Sequence, residues 1–177
     1  MNGLLKLIEN ANKRPLIIGI DGMCAAGKTT LAQTLSEKLS APVIHTDDFF
    51  IPRAARTGHE RINIDEARFV KEVLLPLQQG RTVCYGVFDC KKQLTVKQTE
   101  ILKSDIYIIE GTYCCHPCLP DVLDIKVFCE ISAEEQRLRL CRRESAEGLK
   151  MFENMWIPLE NKYFNNYNIR ERCDVIL

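Results

Sequence analysis

The sequence predicts an α/β fold: a mostly parallel sheet with helices on both faces, three layers in all. Three observations carry that expectation. Apolar runs of strand length alternate with segments of helical spacing along the chain, the pattern of units that build parallel sheets. The first apolar run, residues 16–20, leads straight into Gly22-Met23-Cys24-Ala25-Ala26-Gly27-Lys28-Thr29. That stretch fits G-x-x-x-x-G-K-[ST], the phosphate-binding P-loop, in the strand–loop–helix setting the motif requires. Carboxylates then close two further strand runs, Asp47 and Asp48 after residues 43–45 and Glu110 after residues 106–109. Sites in open parallel sheets lie at such carboxyl ends of strands.

In chain order, residues 2–12 predict a short helix stopped before Pro15. Residues 16–20 are the first strand. In the loop that follows, Gly22 and Gly27 permit a tight turn that a side chain would obstruct. Successive N–H groups then face inward, and the helix dipole adds positive potential. Gly22, Ala25, Ala26, Gly27, Lys28, Thr29 and Thr30 are therefore the candidate nucleotide-binding residues. Lys28 brings a charge within reach of the β- and γ-phosphates, and the Thr29 hydroxyl suits Mg²⁺. Leu31, Leu35 and Leu39 have the spacing of one helix face. Residues 40–42 form a turn, and 43–45 a short strand that delivers Thr46-Asp47-Asp48-Phe49-Phe50. Phosphoryl transfer to a hydroxyl needs a carboxylate that accepts its proton or holds Mg²⁺. Adjacent residues of an extended chain point opposite ways, so one of the two aspartates should face the phosphates.

Residues 51–63 carry Arg53, Arg56 and Arg61 with no clean period and predict an exposed, mobile loop. Folded inward, its arginines would suit an anionic acceptor. Asp65 predicts a helix cap, followed by Phe69, Val73, Leu74 and Leu77 on one face and ended by Gly80. Residues 81–89 predict a strand running into a turn, and 94–97 another small strand. Residues 105–111 form a buried strand ending in Glu110, which can bind Mg²⁺ through water or orient the acceptor. Residues 125–131 are the next strand. Ser132 and Glu135 resemble a capping box opening a helix with Arg137, Arg139, Arg142 and Arg143. Positions 139, 142 and 143 share a face. Arginines on such a lid, approximately residues 132–146, can stabilise the charge that phosphoryl transfer spreads over oxygens. A helix over 146–164 and a closing strand at 174–177 complete the chain.

A length of 177 residues suits one domain spanning 1–177. Lys plus Arg and Asp plus Glu are both 24, which argues against nucleic acid or an anionic membrane as partner. No apolar run reaches membrane-span length. The first ten residues lack a basic region and a cleavage site, so they read as no signal peptide. Nine cysteines scattered through apolar segments predict reduced thiols in a cytoplasmic protein. Cys115 and Cys118 form a C-x-x-C, but no second pair stands at zinc spacing, so loop packing is the expectation there. His45 and His59 have no partner visible in the sequence. The sequence leaves the oligomeric state open, a homo-oligomer included. A nucleotide switch without transfer chemistry is the reading of another class; the Asn-Lys-x-Asp segment of guanine-nucleotide switches is absent.

Beyond the P-loop, Thr46-Asp47-Asp48-Phe49-Phe50, Asn63-Ile64-Asp65, Tyr85-Gly86-Val87-Phe88-Asp89, Ile108-Ile109-Glu110-Gly111 and Arg139-Leu140-Cys141-Arg142 together resemble the uridine kinase and phosphoribulokinase-like branch of P-loop kinases. The resemblance covers most of the chain and implies the three-layer fold of P-loop nucleoside-triphosphate hydrolases. It implies MgATP and a small hydroxyl acceptor, with Asp47, Lys28, Arg139 and Arg142 catalytic and Thr29, Asp47 and Glu110 around the metal. It places the acceptor among Asp48, Phe49, Arg53, Arg61, Asp65, Tyr85, Asp89, Glu110 and Tyr113. Met23, Cys24, Ala25 and Ala26 replace the family's small polar loop residues, a change that leaves backbone contacts to phosphate in place. The expected activity is ATP-dependent phosphorylation of a hydroxyl, on a nucleoside such as uridine or cytidine. A sugar, sugar phosphate or vitamin precursor as acceptor, or a non-catalytic ATP-binding regulator, are the alternatives.

Overall fold

The computed structural model describes residues 1–55 and 62–177. The chain opens with α1 (Asn2–Asn10), then β1 (Leu16–Gly22), α2 (Lys28–Leu39) and β2 (Val43–His45). A 3₁₀ turn over Thr46–Phe49 and another over Arg53–Ala55 follow. Next come α3 (Glu66–Phe69) and α4 (Leu75–Gln78), joined without a break by a π turn over Val70–Leu74. An antiparallel ribbon, β3 (Val83–Asp89) and β4 (Leu94–Ile101), precedes β5 (Ile106–Glu110) and β6 (Ile125–Cys129). The chain ends with α5 (Ala133–Arg143), α6 (Ala146–Met151), a π turn over Phe152–Trp156, α7 (Ile157–Tyr167) and β7 (Val175–Ile176).

Five strands form one parallel sheet in the order β2-β5-β1-β6-β7. All seven residues of β1 are buried, as expected for a parallel strand covered on both faces. Alternation of side chains along the strand divides the core in two. Leu16, Ile18 and Ile20 meet Leu4 and Ile8 of α1 and Leu31 and Leu35 of α2. Ile17 belongs to the opposite cluster, with Phe69, Val73, Leu74, Leu77, Phe128 and Phe164. Helices thus cover both faces, and the three-layer α/β expectation holds. Among the described residues no helix is long and apolar enough to cross a membrane.

Two elements differ from expectation. The strand predicted at 94–97 extends to Ile101 and pairs with β3 outside the main sheet, with a register shift between Val87 and Phe88. Its outer half, Lys97-Gln98-Thr99-Glu100, is polar because β4 is exposed along nearly all its length, so it carried little apolar signal. The helices predicted as regular contain π turns, each placed just ahead of a proline, Pro76 and Pro158. A proline has no N–H to donate, and its ring crowds the carbonyl four residues earlier, so the turn widens. Asp65 caps α3 as predicted, its side chain accepting from Arg68 N at 3.0 Å, and Gly80 ends the helical stretch at φ +61°. Within the loop predicted at 51–63, Arg56, His59 and Arg61 lie outside the described residues.

Ile108 is fully buried in β5, between β2 and β1. Ile108→Ala should lower the unfolding free energy by about 2–5 kcal/mol, read from urea denaturation; a loss below half a kcal/mol would contradict this account of the core.

Candidate active site

The P-loop starts where β1 leaves the sheet. Gly22 has φ +131°, and a Cβ there would lie 2.1 Å from the Cys129 carbonyl oxygen of β6. Only glycine fits both constraints. Ala25 takes φ +61° and Gly27 φ +97°, which curls the loop so that α2 begins at its end. The first amides of α2, from Lys28 onward, have no carbonyl partner within the helix and form an anion site with the helix dipole. Lys28 Nζ donates to the carbonyls of Gly22 at 2.7 Å and Met23 at 3.0 Å, holding its charge across the loop.

Sheet register brings the carboxylates to the same end. Glu110 stands opposite Ile20 of β1 and His45 of β2. It is only 6% exposed. The Thr29 hydroxyl lies 3.4 Å from both Glu110 oxygens, and His45 Nδ1 lies 2.5 Å from Oε1. That contact raises the histidine's pKa against the opposing effect of burial. Asp47 follows β2 in the 3₁₀ turn and keeps solvent access. Its pKa is raised to about 6, first by desolvation within the cleft and then by the charge of Glu110, with Lys28 and His45 pulling the other way. The hydroxyl of Thr29 and the carboxylates of Glu110 and Asp47 are hard oxygen donors, the chemistry that suits Mg²⁺.

Asp48 turns elsewhere, although the pair stands in a 3₁₀ turn and not on an extended strand. It accepts a hydrogen bond from the Tyr85 hydroxyl of the ribbon, and burial raises its pKa. The remaining acceptor candidates fall into different settings. Phe49 is fully buried, edge-to-face with Phe69 at 5.0 Å and tilted against Tyr85 at 5.2 Å, with the Arg68 guanidinium over its ring. It supports the Asp47 turn from beneath. Tyr113 is likewise buried, its ring 4.8 Å from Tyr163. Asp65 is the cap of α3. Asp89 receives the Lys91 and Lys92 amides at the ribbon's turn, apart from the carboxylate cluster. Arg53 is exposed, its amide donating to Gln93, and Arg61 is outside the described residues.

No family model matches the chain. Curated relatives do. A uridine kinase of Alkaliphilus metalliredigens is 30% identical over 146 residues, 76% of this chain and 70% of that protein. The chain belongs to the uridine kinase family. A uridine kinase of Ureaplasma parvum is 26% identical over 156 residues, covering 81% of this chain and 75% of that one. Among solved structures, a possible uridine kinase from Bacillus stearothermophilus superposes with a TM-score of 0.77 over 99% of this chain and 96% of that chain, at 22% identity. This uridine kinase family member is an ATP-dependent small-molecule kinase with the P-loop kinase fold.

The arginine helix α5 sits on the shoulder of the P-loop in this kinase. Gln136 Nε2 donates to the Cys24 carbonyl at 2.9 Å, and Arg139 Nη1 to the Ala25 carbonyl at 3.1 Å. Ser132 caps the helix, accepting from Glu135 N at 3.2 Å. Arg139 also pairs with Glu135 at 2.8 Å. Arg142 is exposed and makes no hydrogen bond or ion pair with the described residues. Arg137 pairs with Glu153, and Arg143 with Glu144 over the Phe152 ring. Of the four arginines, Arg139 is the one whose side chain bonds the loop. On the other shoulder, Glu160 of α7 accepts from Cys24 N at 2.9 Å and from the Thr112 hydroxyl at 3.1 Å.

Gln136, Glu160 and Asp21 were not singled out from sequence. Asp21 is fully buried and accepts from Gly22 N at 2.7 Å, Cys115 N at 3.1 Å and the Tyr163 hydroxyl at 2.7 Å. The one signal available was a lone carboxylate inside an apolar strand, directly before the loop. Burial raises its pKa to about 6, against the hydrogen bonds of Tyr163, Cys115 and Gly22 and the charge of Lys28. A carboxyl whose folded pKa exceeds its ordinary 3.8 takes up protons on folding between the two values. Its contribution to stability should therefore fall as pH rises from about 4 to about 6, by roughly 2–3 kcal/mol, and then level off. Urea unfolding of wild type minus Asp21→Asn, followed across that range, checks the slope; a difference that stays flat or rises with pH would refute it.

Proposed function

We propose that this kinase transfers the γ-phosphoryl group of ATP to a hydroxyl of a nucleoside, of the uridine or cytidine kind. One observation carries the reading: Lys28, Thr29, Glu110 and Asp47 meet at the carboxyl ends of β1, β5 and β2. A phosphate cradle, a set of hard oxygen donors and a carboxylate open to solvent stand together there. The nucleoside as acceptor is supported by the names of the relatives.

In this proposal the α2 amides and Lys28 hold the β- and γ-phosphates. Thr29 and Glu110 would hold Mg²⁺, which when bound neutralises phosphate oxygens and fixes their orientation. Asp47 accepts the proton of the attacking hydroxyl at its carboxylate oxygen. A base with a pKa near 6 is ionised at neutral pH and still takes up a proton readily. Arg139, with Arg142 nearly one turn along α5, offsets charge on the transferring group and helps exclude water. Asp48 and Tyr85, bonded to each other beside Asp47, present polar groups to the acceptor, together with Asp65 and Arg53.

ADP release with MgATP, measured over nucleosides, sugars, sugar phosphates and vitamin precursors, tests the acceptor. Uridine or cytidine should turn over well above the ATPase background. Turnover confined to a phosphorylated or acidic acceptor would overturn the nucleoside reading. Asp47→Asn should lower kcat by about 10²–10⁴-fold with ATP affinity little changed. A variant as active as wild type would remove Asp47 from the role of base.

A further inference from the structure

The turn after β5 carries two adjacent thiols into the core beneath the P-loop. Gly111 has φ +125° and Tyr113 φ +81°. For a tyrosine this is strained backbone, of the kind found where surroundings over-determine a functional conformation. Cys114 N donates to Gly111 O at 3.3 Å, and His116 N to Tyr113 O at 3.0 Å, which closes the turn. Cys114 is buried and Cys115 half-buried, with their sulfurs 3.8 Å apart. A carboxylate oxygen of Asp21 and both sulfurs all lie within 4.8 Å of one another. Cys173, just ahead of β7, hydrogen-bonds the Cys115 thiol. Cys118 stands apart: it is exposed and hydrogen-bonds Glu66. The structure thus separates the two halves of the C-x-x-C and gives Cys115 other partners.

This spacing has a chemical meaning. Thiolates bind zinc at roughly 2.3 Å in a tetrahedron, which puts sulfurs about 3.8 Å apart along an edge. The Cys114–Cys115 separation matches that edge, and a carboxylate oxygen is an ordinary further ligand. We propose that Asp21, Cys114 and Cys115 form a buried three-ligand site for one thiophilic divalent cation of the zinc class. Sulfur donors select such an ion over Mg²⁺, whereas the oxygens of Thr29, Asp47 and Glu110 do the reverse. The site is independent of the acceptor reading above.

Binding exchanges protons for the ion. Each coordinating thiol releases its proton to solvent, and the thiolates with the Asp21 carboxylate offset the cation's charge. Without the ion, burial holds the Cys114 thiol up at about 11, and the hydrogen bond with Cys114 raises Cys115 well above the ordinary thiol value. Coordination therefore has to displace those protons, so affinity for the ion should rise with pH. An ion here would join the end of β1 to the turn after β5.

The test uses the full, reduced chain with the four exposed cysteines, Cys84, Cys90, Cys118 and Cys141, changed to serine. Titration with Co²⁺, a spectroscopic substitute for zinc, should saturate at one equivalent with thiolate-to-metal charge-transfer absorption. Zn²⁺ should abolish the band and Mg²⁺ should not. Cys114→Ser and Cys115→Ser should each remove most of it. Absence of a thiolate band in the four-serine protein, or a band undiminished in both further variants, would overturn the proposal. Where either variant fails to fold, the four-serine protein still decides: Tm should rise on adding one equivalent of Zn²⁺, and an unchanged Tm would overturn the site.

Discussion

The register of β5 between β1 and β2 is the constraint on which the site depends. It sets Glu110 level with Ile20 on one side and His45 on the other. A slip of one residue would turn Glu110 to the other face of the sheet and bury a charge among apolar side chains. The register is itself held by Ile108 and Ile109, which point into opposite cores. Packing on both faces therefore fixes where the carboxylate stands relative to Thr29. The glycine loop depends on the neighbouring pair: Gly22 leaves the sheet against the backbone of Cys129, and a side chain there would push β1 off β6.

Around that register the charges are arranged in opposition. Glu110 and the Asp47 carboxyl raise the proton affinity of their surroundings, and Lys28 and His45 lower it. The charge of Glu110 raises the Asp47 pKa, and a nearby cation opposes that effect. Lys28 and His45 do part of that, and a hard divalent cation among Thr29, Glu110 and Asp47 would do more. The strain of the arrangement is the strain of a site shaped for phosphate and its counterion.

What was legible in the sequence is what is local. The P-loop, the Asp65 cap, the Ser132 cap and the carboxylates at strand ends are each determined by residues within a few positions of one another. The missed contacts are not: Gln136 to Cys24, Glu160 to Cys24 and Tyr163 to Asp21 span more than a hundred residues. No short pattern can announce a hydrogen bond between a helix near the end of the chain and a loop near its start. The ribbon was half-read for a different reason. β4 is exposed on both faces over most of its length, with only Thr99 and Ile101 half-buried, so its residues alternate weakly and the period fades after Val96. Phe49 and Tyr113, expected as acceptor contacts from their place beside site motifs, are buried in the core, the commoner use of large rings.

The cysteines make the same point at the level of chemistry. A C-x-x-C pattern assumes that chain spacing brings the two sulfurs together, and it does so only on a suitable turn. Here the left-handed residues Gly111 and Tyr113 rotate Cys114 and Cys115 inward, and Cys118 ends on the surface beside Glu66. The inward pair meets a carboxylate from β1 and a thiol from the far end of the chain. Asp21 belongs to that cluster and also receives the Gly22 amide at the start of the P-loop. One buried side chain therefore touches two groups of donors, sulfur on one side and the phosphate loop on the other. The thiols would suit a soft cation and the oxygens of Thr29, Asp47 and Glu110 a hard one, so the two clusters would not compete for the same ion.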